Sequence, residues 1–225
     1  MNPVDNVPDH CADVALQNPS SAYKATVYRT RCNGQCTVIK SYDNLHPFFR
    51  ATLGRFQLRR EINALKRTQN LEGFPRYIDS QEPYRFTMSW IEGSQPTKAL
   101  FHERHYLVSQ LAERVKAMHH VGVTHNDIRL KNLLIDGEGQ LHIIDFASAI
   151  TRSSRCAWQS KILYKFFCFS DRVKVVRIKR EFSPELIDRD ELRLVKYTRI
   201  FKSISRFWKQ HVYTRLKKVA GIFRH

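Results

Sequence analysis

The chain has 225 residues and a mass of 26.6 kDa, and 42% of its residues are hydrophobic, enough for one large domain or two small lobes around a cleft. Its 38 Lys and Arg against 21 Asp and Glu give a net charge of +17 and a pI near 9.9, which points to a polyanionic neighbour. Five scattered cysteines, with no C-x-x-C and no zinc-ligand spacing, exclude a zinc module and indicate a reduced, intracellular protein.

Residues 1–21 are polar and contain proline, and read as a segment ahead of the fold; "MNPVDNVPDHCADV" lacks the basic-then-apolar order of a signal peptide. "ATVYRTRCNGQCTVIK" (25–40) holds two β-prone runs around Asn33-Gly34, a strong hairpin signal. "GRFQLRREINALKRTQN" (54–70) predicts an amphipathic helix with Phe56, Leu58, Ile62 and Leu65 on its inner face. "FPRYIDS" and "YRFTMSWIEG" read as short strands, the second closing at Gly93. "ERHYLVSQLAERVKAMHHVG" (103–122) predicts a helix with Leu107, Leu111, Val115 and Met118 inward and Gly122 as its stop. "NLLI" and "LHIID" flank Asp136-Gly137-Glu138-Gly139 as a second hairpin. "ILYKFFCF" (162–169) is too short to span a bilayer and carries Lys165. Ser183-Pro184-Glu185 reads as an N-cap with Pro at N1, and Asp188 with Glu191 as a capping box. The order predicts an α+β protein with a sheet-rich front and a helical back.

Between the second helix and the second hairpin runs "HNDIRLKN" (125–132), which matches the pattern H-R-D-L-x-x-x-N in its His, Asp and Asn, and "DF" follows at 145–146. "TVIK" ends the first hairpin at Lys40, and Glu61 lies on the next helix, in position to pair with it. "MSWIEG" (88–93) has the place of a hinge between lobes. With these five elements in order, the chain resembles the protein-kinase-like superfamily from about residue 16 to about 150. Its small size and terse loop are most similar to the RIO-like and bacterial lipopolysaccharide-kinase branch.

The resemblance implies a two-lobed kinase fold that uses ATP and Mg²⁺ to phosphorylate a hydroxyl. It implies an N-lobe over 22–91 and a C-lobe over 92–225. By position, Asp127 would take the acceptor's proton, Asn132 and Asp145 would hold Mg²⁺, and Lys40, paired with Glu61, would grip the α- and β-phosphates. Adenine would lie under Val27 and meet the backbone of Ser89 and Ile91. Departures accompany the match. "QNPSSAYKATV" (17–27) has no glycine where the phosphate-covering loop is glycine-rich. Asn126 replaces the Arg of H-R-D, which argues against control by a phosphorylated loop; Ala147 replaces the Gly of D-F-G. Ser183-Pro184-Glu185 resembles A-P-E but lies 38 residues past Asp145.

Plainer roles compete. Asp127 and Asn132 also suit a turn and a cap. His125 suits bracing of the loop. Arg129 and Lys131 suit either the γ-phosphate or solvent. From residue 151 onward there are 20 Lys and Arg against 6 Asp and Glu. Beyond Glu191, basic residues interleave with apolar ones at 197, 200, 201, 204, 207 and 208. Helices packing on the C-lobe account for that pattern, and a basic outer face would add docking on an anionic membrane. The expectation is an ATP-dependent kinase, cytoplasmic and peripheral at the inner membrane face, acting on a lipopolysaccharide-core sugar or a protein Ser/Thr. The alternatives are a small-molecule phosphotransferase of the aminoglycoside/choline-kinase type and a pseudokinase binding module. Charge alone does not separate a membrane from nucleic acid, and both stay open.

Overall fold

The computed structural model describes residues 14–17, 25–32, 35–80, 83–152 and 158–194. The Asn33-Gly34 turn, most of the phosphate-covering loop and the basic tail from 195 lie outside these residues.

The front of the molecule is one antiparallel sheet of five strands: β1 (Val14–Gln17), β2 (Thr26–Cys32), β3 (Gln35–Ser41), β4 (Tyr77–Asp79) and β5 (Arg85–Ser89), in the order β1-β2-β3-β5-β4. Strands β2 and β3 are rich in β-branched residues, Thr26, Val27 and Thr30 on one and Thr37, Val38 and Ile39 on the other, which favours extended backbone. Their register places Val27 opposite Lys40, and β5 places Phe86 opposite Lys40 on its other side. Residues directly opposite share a sheet face, so Val27, Lys40 and Phe86 form one row across the sheet. Strand β1 was not anticipated: Val14–Gln17 pairs with β2, so the sheet begins within the segment read as preceding the fold. A four-residue edge strand gives too little alternation to be read from sequence.

After the sheet's first three strands, α1 (Pro47–Phe49) runs through a π-type stretch, Arg50–Gly54, into α2 (Arg55–Thr68). Leu58, Glu61, Ile62, Ala64 and Leu65 form the buried face of α2. Phe56 departs from the expected inner face: it is 58% exposed, and its ring lies 5.3 Å from the Arg60 guanidinium, one turn on. Its spacing from Leu58 and Ile62 is off the helical stripe, and the cation–π partner explains its position.

The back is helical. A short α3 (Lys98–Glu103), capped by the Thr97 side chain on the Leu100 N–H, precedes α4 (Tyr106–His120). Leu107, Leu111, Val115 and Met118 of α4 are buried as expected, and Gly122, with φ +80°, ends the helix. Strand β6 (Val123–Thr124) pairs with β9 (Ile150–Thr151), and β7 (Leu133–Ile135) pairs with β8 (Leu141–Ile143) as the expected hairpin. Helix α5 (Trp158–Phe182) has 25 residues, about 37 Å of α-helix. Its Val175, Ile178 and Phe182 join the same core as α4, β7 and β8. No described helix is long and apolar enough to cross a membrane.

Two end features behave differently. Asp188 and Glu191 form the reciprocal box: the Glu191 N–H donates to Asp188 (2.7 Å) and the Asp188 N–H to Glu191 (3.2 Å). Pro184 opens a 3-10 turn as expected, but the Ser183 hydroxyl does not cap it; it is buried against the His105 ring, 2.8 Å away. This is the α+β, two-lobed architecture that the element order implies.

Candidate active site

The site lies where the inner face of the sheet, α2 and the loops around β6–β8 converge. Lys40 projects from β3, and its ammonium lies 2.7 Å from Glu61 of α2 and 3.0 Å from Asp145, just past β8. The Lys40 and Glu61 side chains are only 8% and 1% exposed, while Asp145 keeps 44% of its surface open. Burial alone would lower the Lys40 ammonium, but the two carboxylates outweigh it and raise it. The Lys40 charge holds Asp145 down to about 2. Burial pushes the Glu61 carboxyl up and Lys40 pulls it back; a 2.7 Å bond to an ammonium keeps the pair ionic. Glu61 thus serves as a fixed prop, and Asp145 as an ionised group with an open side.

The catalytic-loop residues meet across the cleft floor. The Asn132 side-chain N–H₂ donates to the Asp127 carbonyl (2.8 Å) and to its carboxylate (3.0 Å). That leaves the Asn132 amide oxygen facing the other way. Arg129 forks onto the same carboxylate oxygen at 3.0 and 2.6 Å, so Asp127 is charge-paired. Arg129 makes this contact with its side chain still 53% exposed. Ser89 closes β5: its N–H donates to the Arg76 carbonyl and its hydroxyl accepts from the Arg76 N–H, both at 2.8 Å. Past it, Gly93 and Ser94 press against β7. A Cβ on Gly93 would stand 2.6 Å from the Ile135 carbonyl oxygen, and Ser94 exchanges two backbone bonds with Ile135. Ile91 therefore sits on a short linker pinned at both ends.

An amide oxygen and an ionised, half-open carboxylate suit a hard divalent cation, with phosphate oxygens filling the remaining positions. Among the described residues no cluster of three His, Cys, Asp or Glu side chains offers an all-protein metal cage. The donor set therefore fits Mg²⁺ held jointly with a nucleotide.

Two further features hold this geometry. Among the described residues, Asn126 and Asp145 are the non-glycine positions with left-handed φ, 65° and 67°. Asn and Asp tolerate that region better than other side chains, which gives a backbone reason for Asn126 where the pattern has Arg. Asp171 of α5, fully buried, accepts the backbone N–H groups of His125 (2.7 Å) and Asn126 (2.8 Å) and faces His119 at 3.2 Å. Nothing in the residue pattern singles out Asp171; an acid in a helix whose other charges up to Arg180 are all basic is its one signal. Val38 and Met88, opposite each other on β3 and β5, are two positions from Lys40 and its partner Phe86 and so extend the Val27 face of the sheet. They too were missed, because hairpin alternation marks a face and not what the face meets.

The protein kinase domain matches residues 29–187. The chain belongs to the protein kinase domain family. Lys40, Glu61, Asp127, Asn132 and Asp145 all fall inside that span. It is similar to the O-antigen chain terminator bifunctional methyltransferase/kinase WbdD of Escherichia coli, 28% identical over 67 residues, which is 30% of this chain and 10% of that protein. It is also similar to CBL-interacting protein kinase 16 of Oryza sativa subsp. japonica, 32% identical over 127 residues, 52% of this chain and 27% of that one. CBL-interacting serine/threonine-protein kinase 5 of Arabidopsis thaliana matches at 30% over 122 residues, 50% and 27% of the two chains. The chain thus spans about a quarter or less of the relatives it matches. A protein kinase domain uses ATP and a divalent metal in general.

Proposed function

We propose that the protein transfers the γ-phosphate of ATP to a hydroxyl of a lipopolysaccharide-core sugar. Lys40, propped by Glu61, grips the α- and β-phosphates; Asp145 and Asn132 hold Mg²⁺; Val27 covers adenine, which meets the backbone of Ser89 and Ile91. Bound Mg²⁺ would neutralise charge on the phosphate oxygens. Asp127 receives the acceptor's proton, and Arg129 steadies its carboxylate until the acceptor arrives.

The observation that favours a sugar is the short connection between Asp145 and α5. Only residues 146–157 lie between them. In protein kinases the stretch from D-F-G to A-P-E carries the activation loop. Here the A-P-E-like Ser183-Pro184-Glu185 follows α5 and cannot serve that stretch. A peptide acceptor would lack its usual platform, whereas a sugar hydroxyl needs only an open approach to Asp127. The similarity to WbdD supports the same reading.

The basic residues beyond Glu191 fit an anionic membrane face, where such a glycolipid would be presented. A protein Ser/Thr is the second reading, favoured by the longer match to the CBL-interacting kinases.

Labelled ATP with core glycolipids in anionic vesicles, and with a protein panel, tests the choice. We expect label on sugar hydroxyls, read by mass spectrometry. Label in proteins alone would overturn the sugar reading. Asp127→Asn is the matched control. It keeps its contacts with Arg129 and Asn132, so ATP binding persists while transfer falls by about 10²–10⁴-fold.

A further inference from the structure

The segment that follows Asp145 is held by side chains from two other parts of the molecule. Arg60 of α2 donates from Nε to the Ala149 carbonyl (3.0 Å), and from Nη2 to the carbonyls of Ala149 (2.8 Å) and Ser148 (2.9 Å). The Asn126 side chain, from the catalytic loop, donates to the same Ser148 carbonyl (3.1 Å). The Thr124 hydroxyl takes the next carbonyl, Ile150, at 3.3 Å. Three consecutive carbonyls are therefore claimed by α2 and the strand–loop unit that carries Asp127. Phe56 lies across the Arg60 guanidinium and restricts its motion.

Arg60 immediately precedes Glu61, and Ser148 lies three residues past Asp145. A guanidinium anchored to Ser148 and Ala149 thereby fixes the distance between the helix that bears Glu61 and the segment that bears Asp145. Lys40 needs both carboxylates within reach at once. A fork of three donors sets orientation as well as distance, which a single ammonium would not do.

We propose that Arg60 is a positioning residue that holds Glu61 and Asp145 in register on Lys40, through backbone carbonyls and with no phosphate group taking part. The site is then permanently assembled. This rests on the nucleotide-site reading above, and it adds a residue and a mode of control to it.

The test uses the full chain and four variants, Arg60→Ala, Arg60→Lys, Phe56→Leu and Asn126→Asp. Alanine is a good helix former, so Arg60→Ala retains α2. ATP turnover with water as acceptor, in Mg²⁺, is measured beside amide hydrogen exchange. For Arg60→Ala we expect kcat to fall about 10²-fold while the KM for ATP moves less than about threefold, because geometry is lost and contacts are kept. Ethylguanidinium should restore part of that kcat, and Arg60→Lys should not match it. Phe56→Leu should show a smaller loss. Asn126→Asp, which tolerates the same φ and loses its N–H₂ donor, should loosen residues 148–151. Exchange should rise in 145–151 as well as in α2 when Arg60 is replaced. Phosphatase treatment of the wild type should leave kcat unchanged.

An Arg60→Ala protein with wild-type kcat, a rise in exchange confined to α2, or loss of activity on phosphatase treatment would each overturn the proposal. A wild type that turns over no ATP would instead remove the nucleotide reading, and the exchange data would still decide whether Arg60 joins α2 to 145–151.

Discussion

Lys40 and Glu61 meet at 2.7 Å across 21 positions of sequence, one on a strand and the other on a helix, both almost wholly out of water. Removing Lys40 leaves Glu61 buried without its ammonium, and removing Glu61 leaves Lys40 held by Asp145 alone. Lys40→Met and Glu61→Gln should each lower kcat by about 10²–10³-fold. The double variant should lose little more than the worse single one, because the two act as a unit. A double-mutant cycle on kcat checks this, and losses that simply multiply would separate the pair.

Asp145 has a backbone constraint as well as a charge. With φ at 67°, alanine at this position would add left-handed strain of about 1–2 kcal/mol to the loss of the carboxylate. Asparagine tolerates that conformation and isolates the charge. Asp145→Asn should fold with a near-normal unfolding midpoint and show no turnover across a Mg²⁺ titration. Calorimetry beside the titration separates the two effects, and recovery of turnover at high Mg²⁺ would reassign the metal to other groups.

His125 is tied on both ring nitrogens. Nε2 faces the Ile144 carbonyl oxygen at 3.0 Å and so carries the proton, while Nδ1 faces the Asp127 N–H at 3.3 Å and so accepts. A second proton on Nδ1 would set donor against donor, and burial pushes the ring below its ordinary value. The unfolded chain takes this proton near pH 6.5, so below that value the unfolded state binds more protons and stability falls with pH. His125→Phe should be less stable at pH 7 but should lose stability less steeply between about pH 6.5 and 5. Urea unfolding across that range gives the difference in slope. Identical slopes would mean that the ring titrates alike in both states.

Asp171 receives two backbone N–H groups with its two carboxylate oxygens. Asn at this position turns one oxygen into N–H₂ and sets donor against donor in a dry site. Asp171→Asn should cost about 3 kcal/mol of stability, measured by urea unfolding. Its kcat should fall further than its stability explains, since Asn126 relies on that bond to hold a left-handed φ. Wild-type kcat in the folded variant would show that the loop keeps its shape unaided.

The sequence made the chemistry legible and left its supports hidden. Lys40, Glu61, Asp127, Asn132 and Asp145 carry side chains whose types and spacing restrict what they can do, and the structure brings all five around one cleft. Both hairpins, the α4 face and the capping box at Asp188 follow from local rules that need no distant partner. Strand β1 was missed because its pairing is supplied wholly by β2. Phe56 is apolar and yet exposed, because Arg60 offers its ring a partner at the surface, which an apolar pattern does not reveal. Asp171 was missed because its partners are backbone groups, which leave no trace in residue types.

Asp171 also bears on how the protein is made. The five cleft residues all lie before position 146, yet the bond that shapes their loop spans 46 positions, from His125 to Asp171. A nascent chain that has left the ribosome as far as residue 150 carries all five and still lacks the contact that orders the loop. Domains fold as units while synthesis continues. That bond can form only after α5 has emerged, so a fragment that ends before Asp171 carries the motifs without the carboxylate that holds His125 and Asn126.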